Sequence, residues 1–334
     1  MPLKKIMLIG HSGENRLPVE KSKAWTEFAN TLYAQGYQIV EDFSREVVAI
    51  ISNCSKQTGI SKREFLSIVP KNRTIIIWEP FVVDANLYKQ EVLQNYGNIY
   101  AASPMWARKT GGSPFNWPQE NFGAERDVFT GWEKRIEKSV IIQANKYSAR
   151  RGELYSLRRK VIGRLSYQLL DIYGPNWNKG RFHDLKLWYR SARKSKISEL
   201  SLWTLHGIGK KYSNYAGEAE DKQEILQKYQ VNIVIENSAD YVSEKLFDSL
   251  RAGCLTVYVG PDLEKFSLRS KSIICAQPTF RDVHQKIKEI ALLSERDRCE
   301  LAMRQRREIM ESMSEWENSK VLRELAHSIV KNME

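Results

Sequence analysis

Val231-Asn232-Ile233-Val234-Ile235-Glu236-Asn237-Ser238-Ala239-Asp240-Tyr241-Val242-Ser243-Glu244-Lys245, continuing through Leu246 to Val259-Gly260, is the stretch on which the fold turns. The run Val231–Ile235 is short, apolar and rich in β-branched residues, which reads as a buried strand. Asp240 is a favoured helix N-cap and Gly253 a favoured residue just past a helix end. Between them Val242, Leu246 and Leu250 recur every four residues and form a narrow apolar stripe able to pack on a sheet. Leu255–Val259 is a second strand. Strand, helix and strand so close together make a βαβ unit with parallel strands and a right-handed crossover.

In an open α/β sheet, ligands bind beyond the carboxyl ends of the strands. Here that place holds Glu236-Asn237-Ser238 and the helix start from Asp240 to Lys245. A helix N-terminus offers free N–H groups and a partial positive charge, both suited to phosphate. Lys245 adds a full charge, Glu244 is able to accept two hydrogen bonds from a ribose diol, and Tyr241 offers a ring to a base. The set has the size of a nucleotide. The same residues also suit a helix start with no ligand, because the dipole alone favours Glu in a first turn and Lys245 can stand in solvent.

Outward from this unit the pattern repeats. Lys5–Ile9, Tyr37–Val40, Val47–Ser52, Thr74–Trp78 and Asn98–Ala102 read as strands. They alternate with helices predicted over Ser22–Gln35, Lys62–Ile68 and Asn86–Asn95, and Gly36 and Gly97 close the first and last of these. Lys109–Gly123, with three glycines and two prolines, reads as a long loop approaching a linker. The pattern restarts with a strand at Ser139–Ala144, a basic helix at Arg151–Tyr167 and a strand at Leu169–Tyr173. Pro175–Tyr215 is polar, basic and without a clear period. The tail from Ser294 is polar and helical. Two α/β domains follow, a first over residues 1–130 and a second over 138–315.

Composition limits the rest. The 334 residues are 42% hydrophobic and 28% charged, enough for sizeable cores. No apolar run approaches the ~18–20 residues of a membrane span. The apolar stretch before Gly10 is too short for a signal-peptide core. Cys54, Cys254, Cys275 and Cys299 are scattered without a Cys-x-x-Cys pair, which excludes a disulfide scaffold and a zinc ribbon. His183, His206, His284 and His327 show no metal-ligand spacing. The surplus of 52 Lys and Arg over 40 Asp and Glu gives +12 and attracts phosphates of any kind. No RNA-binding or zinc-finger signature accompanies it.

The run from Tyr229 through Glu236-Asn237-Ser238, then Asp240-Tyr241-Val242-Ser243-Glu244-Lys245-Leu246 and Gly260-Pro261, resembles the signature of the glycosyltransferase family 10 fucosyltransferases. In that family a strand ends in Glu-Asn-Ser, followed by Asp-Tyr-(Val/Ile)-(Thr/Ser)-Glu-Lys-Leu and soon a Gly-Pro. Asp221-Lys222, before Leu226 and Tyr229, fits the approach to this strand. Ala144-Asn145 with Arg151 and Tyr155, then Asp171-Ile172-Tyr173-Gly174, is similar to a second family segment. It departs at Ala144, where the family often has Ser, and through the long segment Pro175–Tyr215. Trp78-Glu79-Pro80 is similar to a third and shorter site. The likeness covers roughly Val140–Phe266.

What the resemblance implies is a GT-B architecture, two Rossmann-like domains facing a central cleft. The second domain would hold the donor GDP-fucose and the first the glycan acceptor, with a helix over 316–334 crossing back to the first. It implies inverting transfer of L-fucose, of the α-1,3 type, in lipopolysaccharide or other surface glycan synthesis by a bacterial-like enzyme. Arg151 and Lys245 would neutralise the diphosphate and Glu244 would hold the ribose. Glu236, Asn237, Tyr241 and Ser243 would complete the donor site.

The chemistry agrees with such a set. Inverting transfer is a single displacement that needs a base on the acceptor hydroxyl and stabilisation of the leaving group. Diphosphate leaves readily, so one base plus cations and helix N–H groups suffices. The chain has no Asp-x-Asp to hold a metal, whereas Arg151 and Lys245 are available, so metal-independent chemistry without a cofactor is expected. Glu79, following a β-branched strand, is the favoured general base, and His11 after the first strand is its rival. The basic helix with Arg150, Arg158, Arg159, Lys160 and Arg164 reads as a solvated face in every member but Arg151, with peripheral contact to anionic membrane a further use of its charge. A cytoplasmic enzyme at the inner membrane face fits these features. Two alternatives remain, a transferase of the same fold using another nucleotide sugar and a basic nucleic-acid-binding protein. Nucleic acid is not the expected partner.

Overall fold

The computed structural model describes residues 2–10, 23–57, 59–120, 122, 127–193 and 195–334. The chain forms two compact units, residues 1–121 with 314–334, and residues 122–313. His11 and the first residue of the helix predicted from Ser22 lie outside the described residues.

The first unit is built on β1 (Lys4–Ile9), α1 (Lys23–Ala34), β2 (Tyr37–Val40), β3 (Val47–Ser52), α2 (Lys62–Ser67), β4 (Arg73–Ile77), α3 (Gln90–Leu93), β5 (Asn98–Ala101), α4 (Pro104–Thr110) and β6 (Ser113–Pro114). Its strands pair in parallel in the order β2-β1-β3-β4-β5-β6. A parallel sheet buried on both faces needs continuous apolar strands, and β4 supplies Ile75-Ile76-Ile77 without exposure. Gly36 takes φ +85° to end α1, as the sequence suggests. Ser61 and Glu64 close a reciprocal capping box on α2.

Two expectations change. The helix predicted over Asn86–Asn95 is a 3₁₀ turn at Ala85–Tyr88 followed by α3, because Lys89 between them is extended (φ −72°, ψ 136°). The loop predicted from Lys109 begins later. Ser103 caps α4, Gly111 ends it at φ +71°, and β6 adds an edge strand before the irregular chain begins.

The second unit contains β7 (Ile136–Ile142), α5 (Tyr155–Arg164), β8 (Leu170–Tyr173), α6 (Arg181–Ala192), β9 (Tyr215–Gly217), α7 (Lys222–Leu226), β10 (Tyr229–Ile235), α8 (Glu244–Arg251), β11 (Leu255–Val259), β12 (Ile274–Cys275), α9 (Phe280–Ala291) and α10 (Glu295–Ser312). Its parallel order is β12-β11-β10-β7-β8-β9. β10 and β11 run in register from Val231 opposite Leu255 to Ile235 opposite Val259, the pairing expected of the βαβ unit. Val231, Ile233 and Ile235 share one core with Leu157, Val161 and Ile162 of α5 and with Val283 and Ile287 of α9. α8 buries Leu246, Phe247 and Leu250 completely. Each such side chain contributes about 1.5–3 kcal/mol by leaving water.

After α10 the chain ends in α11 (Asn318–Met333), which belongs to the first unit. Its stripe Leu322, Leu325, Ala326, Ile329 and Met333 joins Phe28 and Leu32 of α1 and Ile6 and Leu8 of β1 in one core. Among the described residues, no helix is long and apolar enough to cross a membrane.

Candidate functional site

In the second sheet the chain runs outward from β7 to β8 and β9, then returns to lay β10 on the other side of β7. The carboxyl ends of β7 and β10 therefore flank the topological switch point, where open α/β sheets hold their ligands. The helices that follow these strands, α5 and α8, start there.

Beyond β10, Glu236 donates its N–H to the Val259 carbonyl at 2.8 Å, extending the strand pairing by one residue. Its side chain is wholly buried. Ser243 donates to it twice, from the backbone N–H to Oε1 at 2.9 Å and from the hydroxyl to Oε2 at 2.6 Å. Ser243, not Asp240, is the N-cap of α8, and its hydroxyl accepts from the Lys245 N–H at 3.4 Å. The reason is this pair of long-range bonds. Glu236 draws Ser243 down, and Tyr241 and Val242 are buried before the helix starts. Glu236 thus lies beneath the loop, Asn237 is half-buried, and the Tyr241 ring is covered by the protein.

The charges at the helix start are coupled. Lys245 Nζ lies 2.9 Å from Ser243 Oγ, 3.6 Å from Glu244 Oε1 and 3.9 Å from Glu236 Oε2, with 17% of its side chain exposed against 40% for Glu244. Burial raises the Glu236 carboxyl above its ordinary value, against the opposing pull of Lys245 and the Ser243 bonds. Burial also pushes Glu244 upward, but there Lys245, Lys222 and a backbone N–H together prevail and hold its carboxyl below the usual range. The outcome is an ionised carboxylate beside an ammonium at a helix N-terminus. Gly260 closes the floor. A Cβ there would lie 2.8 Å from Glu236 Cγ and 2.6 Å from Tyr258 Cζ, so a larger residue has no room.

On the β7 side the basic helix is not the solvated face its composition suggests. Arg158 and Arg159 are buried, as is Arg150, while Arg151 is exposed. Arg158 Nη2 donates to the Ile235 carbonyl at 2.8 Å and Nη1 to the Ala144 carbonyl at 3.2 Å, which ties the ends of β10 and β7 together. Arg159 donates to the carbonyls of His206, Lys146 and Thr204 at 2.6–2.8 Å and stacks 3.9 Å over the Tyr147 ring. Strand ends and irregular loops leave carbonyls without partners, and a guanidinium with five donors satisfies several at once. Burial, with Arg159 as a like-charged neighbour, pushes Arg158 down to about 10, so it stays a cation near neutral pH. The sequence gives no signal for this pair, nor for Glu153, whose buried carboxylate accepts from the Ser156 N–H at 2.9 Å in the first turn of α5. Arg151 stands at the approach to α5 with its Nε 3.4 Å from the Leu200 carbonyl. The neighbouring chain is pinned to the loop after β10 by the Leu154 N–H on the Asn237 carbonyl at 3.0 Å.

Glu79 belongs to the first unit, two residues beyond β4 and half-buried. Its carbonyl accepts from the Tyr88 hydroxyl at 2.7 Å. Half-buried rings gather around this strand end. Trp78 meets Phe115 and Trp117 edge-on at 4.9 and 5.2 Å, and Phe81 stacks on Trp106 at 4.8 Å. Among the described residues, no three His, Cys, Asp or Glu side chains come together as a metal set.

No known family profile matches the chain. A protein of Arabidopsis thaliana described as fucosyltransferase-like is 39% identical over 77 residues, 22% of this chain and 15% of the other. The match thus spans under a sixth of that relative. Solved structures match almost end to end. The Anabaena protein HepE, solved with UDP-glucose, superposes with a TM-score of 0.57 at 8% identity over 98% of this chain and 99% of its own. An α-glucosyltransferase solved with UDP and a mismatched DNA gives 0.56 at 12% over 98% and 99%. A glycosyltransferase of Rickettsia africae gives 0.52 at 12% over 99% of both chains. The fold is the two-unit α/β fold of GT-B glycosyltransferases.

Proposed function

We propose that this chain is an inverting, metal-independent glycosyltransferase that moves L-fucose from GDP-fucose to a hydroxyl of a glycan acceptor. The observation that carries the reading is the helix start at the switch point, where Ser243, Glu244 and Lys245 are held in place by the buried Glu236. The partial match to the fucosyltransferase-like plant protein supports the sugar, and the GT-B fold supports the reaction class.

Each residue has a task in this account. The first N–H groups of α8 and the Lys245 ammonium face the diphosphate and stabilise the charge that grows on it as the glycosidic bond breaks. Arg151, exposed at the approach to α5, adds a second cation from the other side of the switch point. Glu244, kept ionised by its neighbours, accepts from the ribose hydroxyls. Glu236, Tyr241 and Ser243 fix the loop, and Asn237 places its backbone against Leu154. Glu79 takes the proton of the acceptor hydroxyl as it attacks the anomeric carbon. The electron pair of the broken bond leaves on the diphosphate, whose low basicity makes an acid catalyst unnecessary.

A second reading is favoured by the neighbours solved with UDP-glucose, a transferase of the same fold with a different nucleotide sugar. Thermal-shift screening of the full chain against GDP, UDP, CMP and ADP separates the two. Stabilisation by GDP above the others supports the fucosyl donor class. A preference for UDP replaces it with the second reading, and no response to any nucleotide rejects both. Product anomers from a GDP-fucose reaction, read by NMR, then test inversion.

A further inference from the structure

The segment 175–215, unpatterned in the sequence, carries nine Lys and Arg against two acids, a strongly basic stretch. Its helix α6 is fastened by a polar inner face. Asp184 accepts from the Gly209 N–H at 2.9 Å, Trp188 donates to Thr204 Oγ1 at 2.7 Å, and Ser191 Oγ accepts from the Ala149 N–H at 3.0 Å. The opposite face is set by the helical period. Phe182, Lys186, Tyr189 and Arg193 stand at i, i+4, i+7 and i+11, one exposed line of alternating ring and cation. Phe182 is 91% and Tyr189 63% exposed, and just beyond the helix Ile197 and Leu202 are 88% and 80% exposed. Arg181 and Arg190 flank the line, both exposed. Of the segment's two acids, Asp184 is buried on the far side and Glu199 follows Ile197 in the turn after the helix.

We propose that this outer face of α6, with Ile197 and Leu202, docks on an anionic lipid bilayer. The cations meet lipid phosphates, and the apolar tips enter the headgroup boundary. A fixed helix with a basic, ring-bearing face is the form such contacts take. A nucleic acid would also meet the cations and stack on the rings. It offers nothing to the two exposed aliphatic side chains, whereas the acyl boundary takes them in. The membrane contact considered for the basic helix α5 thus belongs to α6, since α5 spends Arg158 and Arg159 on buried carbonyls. The proposal uses none of the residues assigned to the donor or the base.

The test is co-sedimentation of the full chain with vesicles of phosphatidylcholine alone, or of equal parts phosphatidylcholine and phosphatidylglycerol, at low and high salt. The parent is expected to pellet with the anionic vesicles only, and less so in high salt. Removing two cations in the Lys186→Gln, Arg193→Gln variant should lower the partition coefficient about thirtyfold. The Phe182→Ser, Tyr189→Ser variant should also lose binding, with an unchanged circular dichroism spectrum. A parent that ignores anionic vesicles, or variants that bind them as the parent does, overturns the proposal. A short DNA duplex bound by the parent and lost in the same variants, with vesicles left unbound, overturns it too and assigns the face to nucleic acid.

Discussion

Replacing Ser243 by Ala removes three contacts with one atom. The hydroxyl donates to Glu236 Oε2 at 2.6 Å, accepts from Lys245 Nζ at 2.9 Å and caps α8 through the Lys245 N–H. A lost cap costs about 1 kcal/mol, and a lost hydrogen bond to a buried charge about 1.5–3 kcal/mol. The sum is roughly 3–4 kcal/mol once the weakened hold on Lys245 is included. In a domain of this size that lowers Tm by roughly 6–15 °C. The deficit should also depend on pH. The Glu236 carboxyl already sits above its ordinary value through burial, and losing a bond that opposes this raises it further. The variant's folded state then binds a proton at a pH where the parent's does not. Its deficit is therefore full above the variant's raised value and fades as pH falls through the parent's. Thermal melts of parent and variant across the acidic to neutral range measure it. A deficit below about 0.5 kcal/mol, or one that does not shrink in acid, would refute the role given to this pair.

Three further outcomes follow from the same geometry. Arg158→Met removes the guanidinium bonds to the carbonyls of Ile235 and Ala144, and after relief of the buried charge should cost roughly 2–4 kcal/mol in urea unfolding. Gly260→Ala drives a methyl against Glu236 and Tyr258 and should cost about 1–3 kcal/mol, whereas a neutral result would show that the floor of the site yields. Glu79→Gln should lower turnover by about 10²–10⁴-fold with GDP affinity unchanged, and retained turnover places the base elsewhere.

The strands were legible because parallel sheets buried on both faces demand apolar runs. Tyr37–Val40, Val47–Ser52 and Leu255–Val259 begin and end where the sequence pattern places them. What local reading missed depends on partners distant in sequence. Asp240 and Ser243 are equally good caps by type, and the choice falls to Ser243 because Glu236, seven residues back, grips it. Arg158 and Arg159 look like solvent-facing charges until the fold brings carbonyls from residues 144, 146, 204, 206 and 235 around them. α6 shows no apolar stripe because Asp184, Trp188 and Ser191 hold its inner face by hydrogen bonds. The residues of the candidate donor site were visible as types, but which of them reach the surface was not. Glu236 and Tyr241 turn inward, while Glu244 and Lys245 remain partly open.

The central claim is that Lys245 and Arg151 hold the diphosphate of a nucleotide sugar at the switch point of the second sheet. Calorimetric titration of GDP into the parent and into the Lys245→Ala, Arg151→Ala double variant tests it most directly, with melts confirming that both are folded. Two charge-assisted contacts at about 1.5–3 kcal/mol each predict an affinity lower by at least a hundredfold. A folded double variant that binds GDP as tightly as the parent would contradict the account.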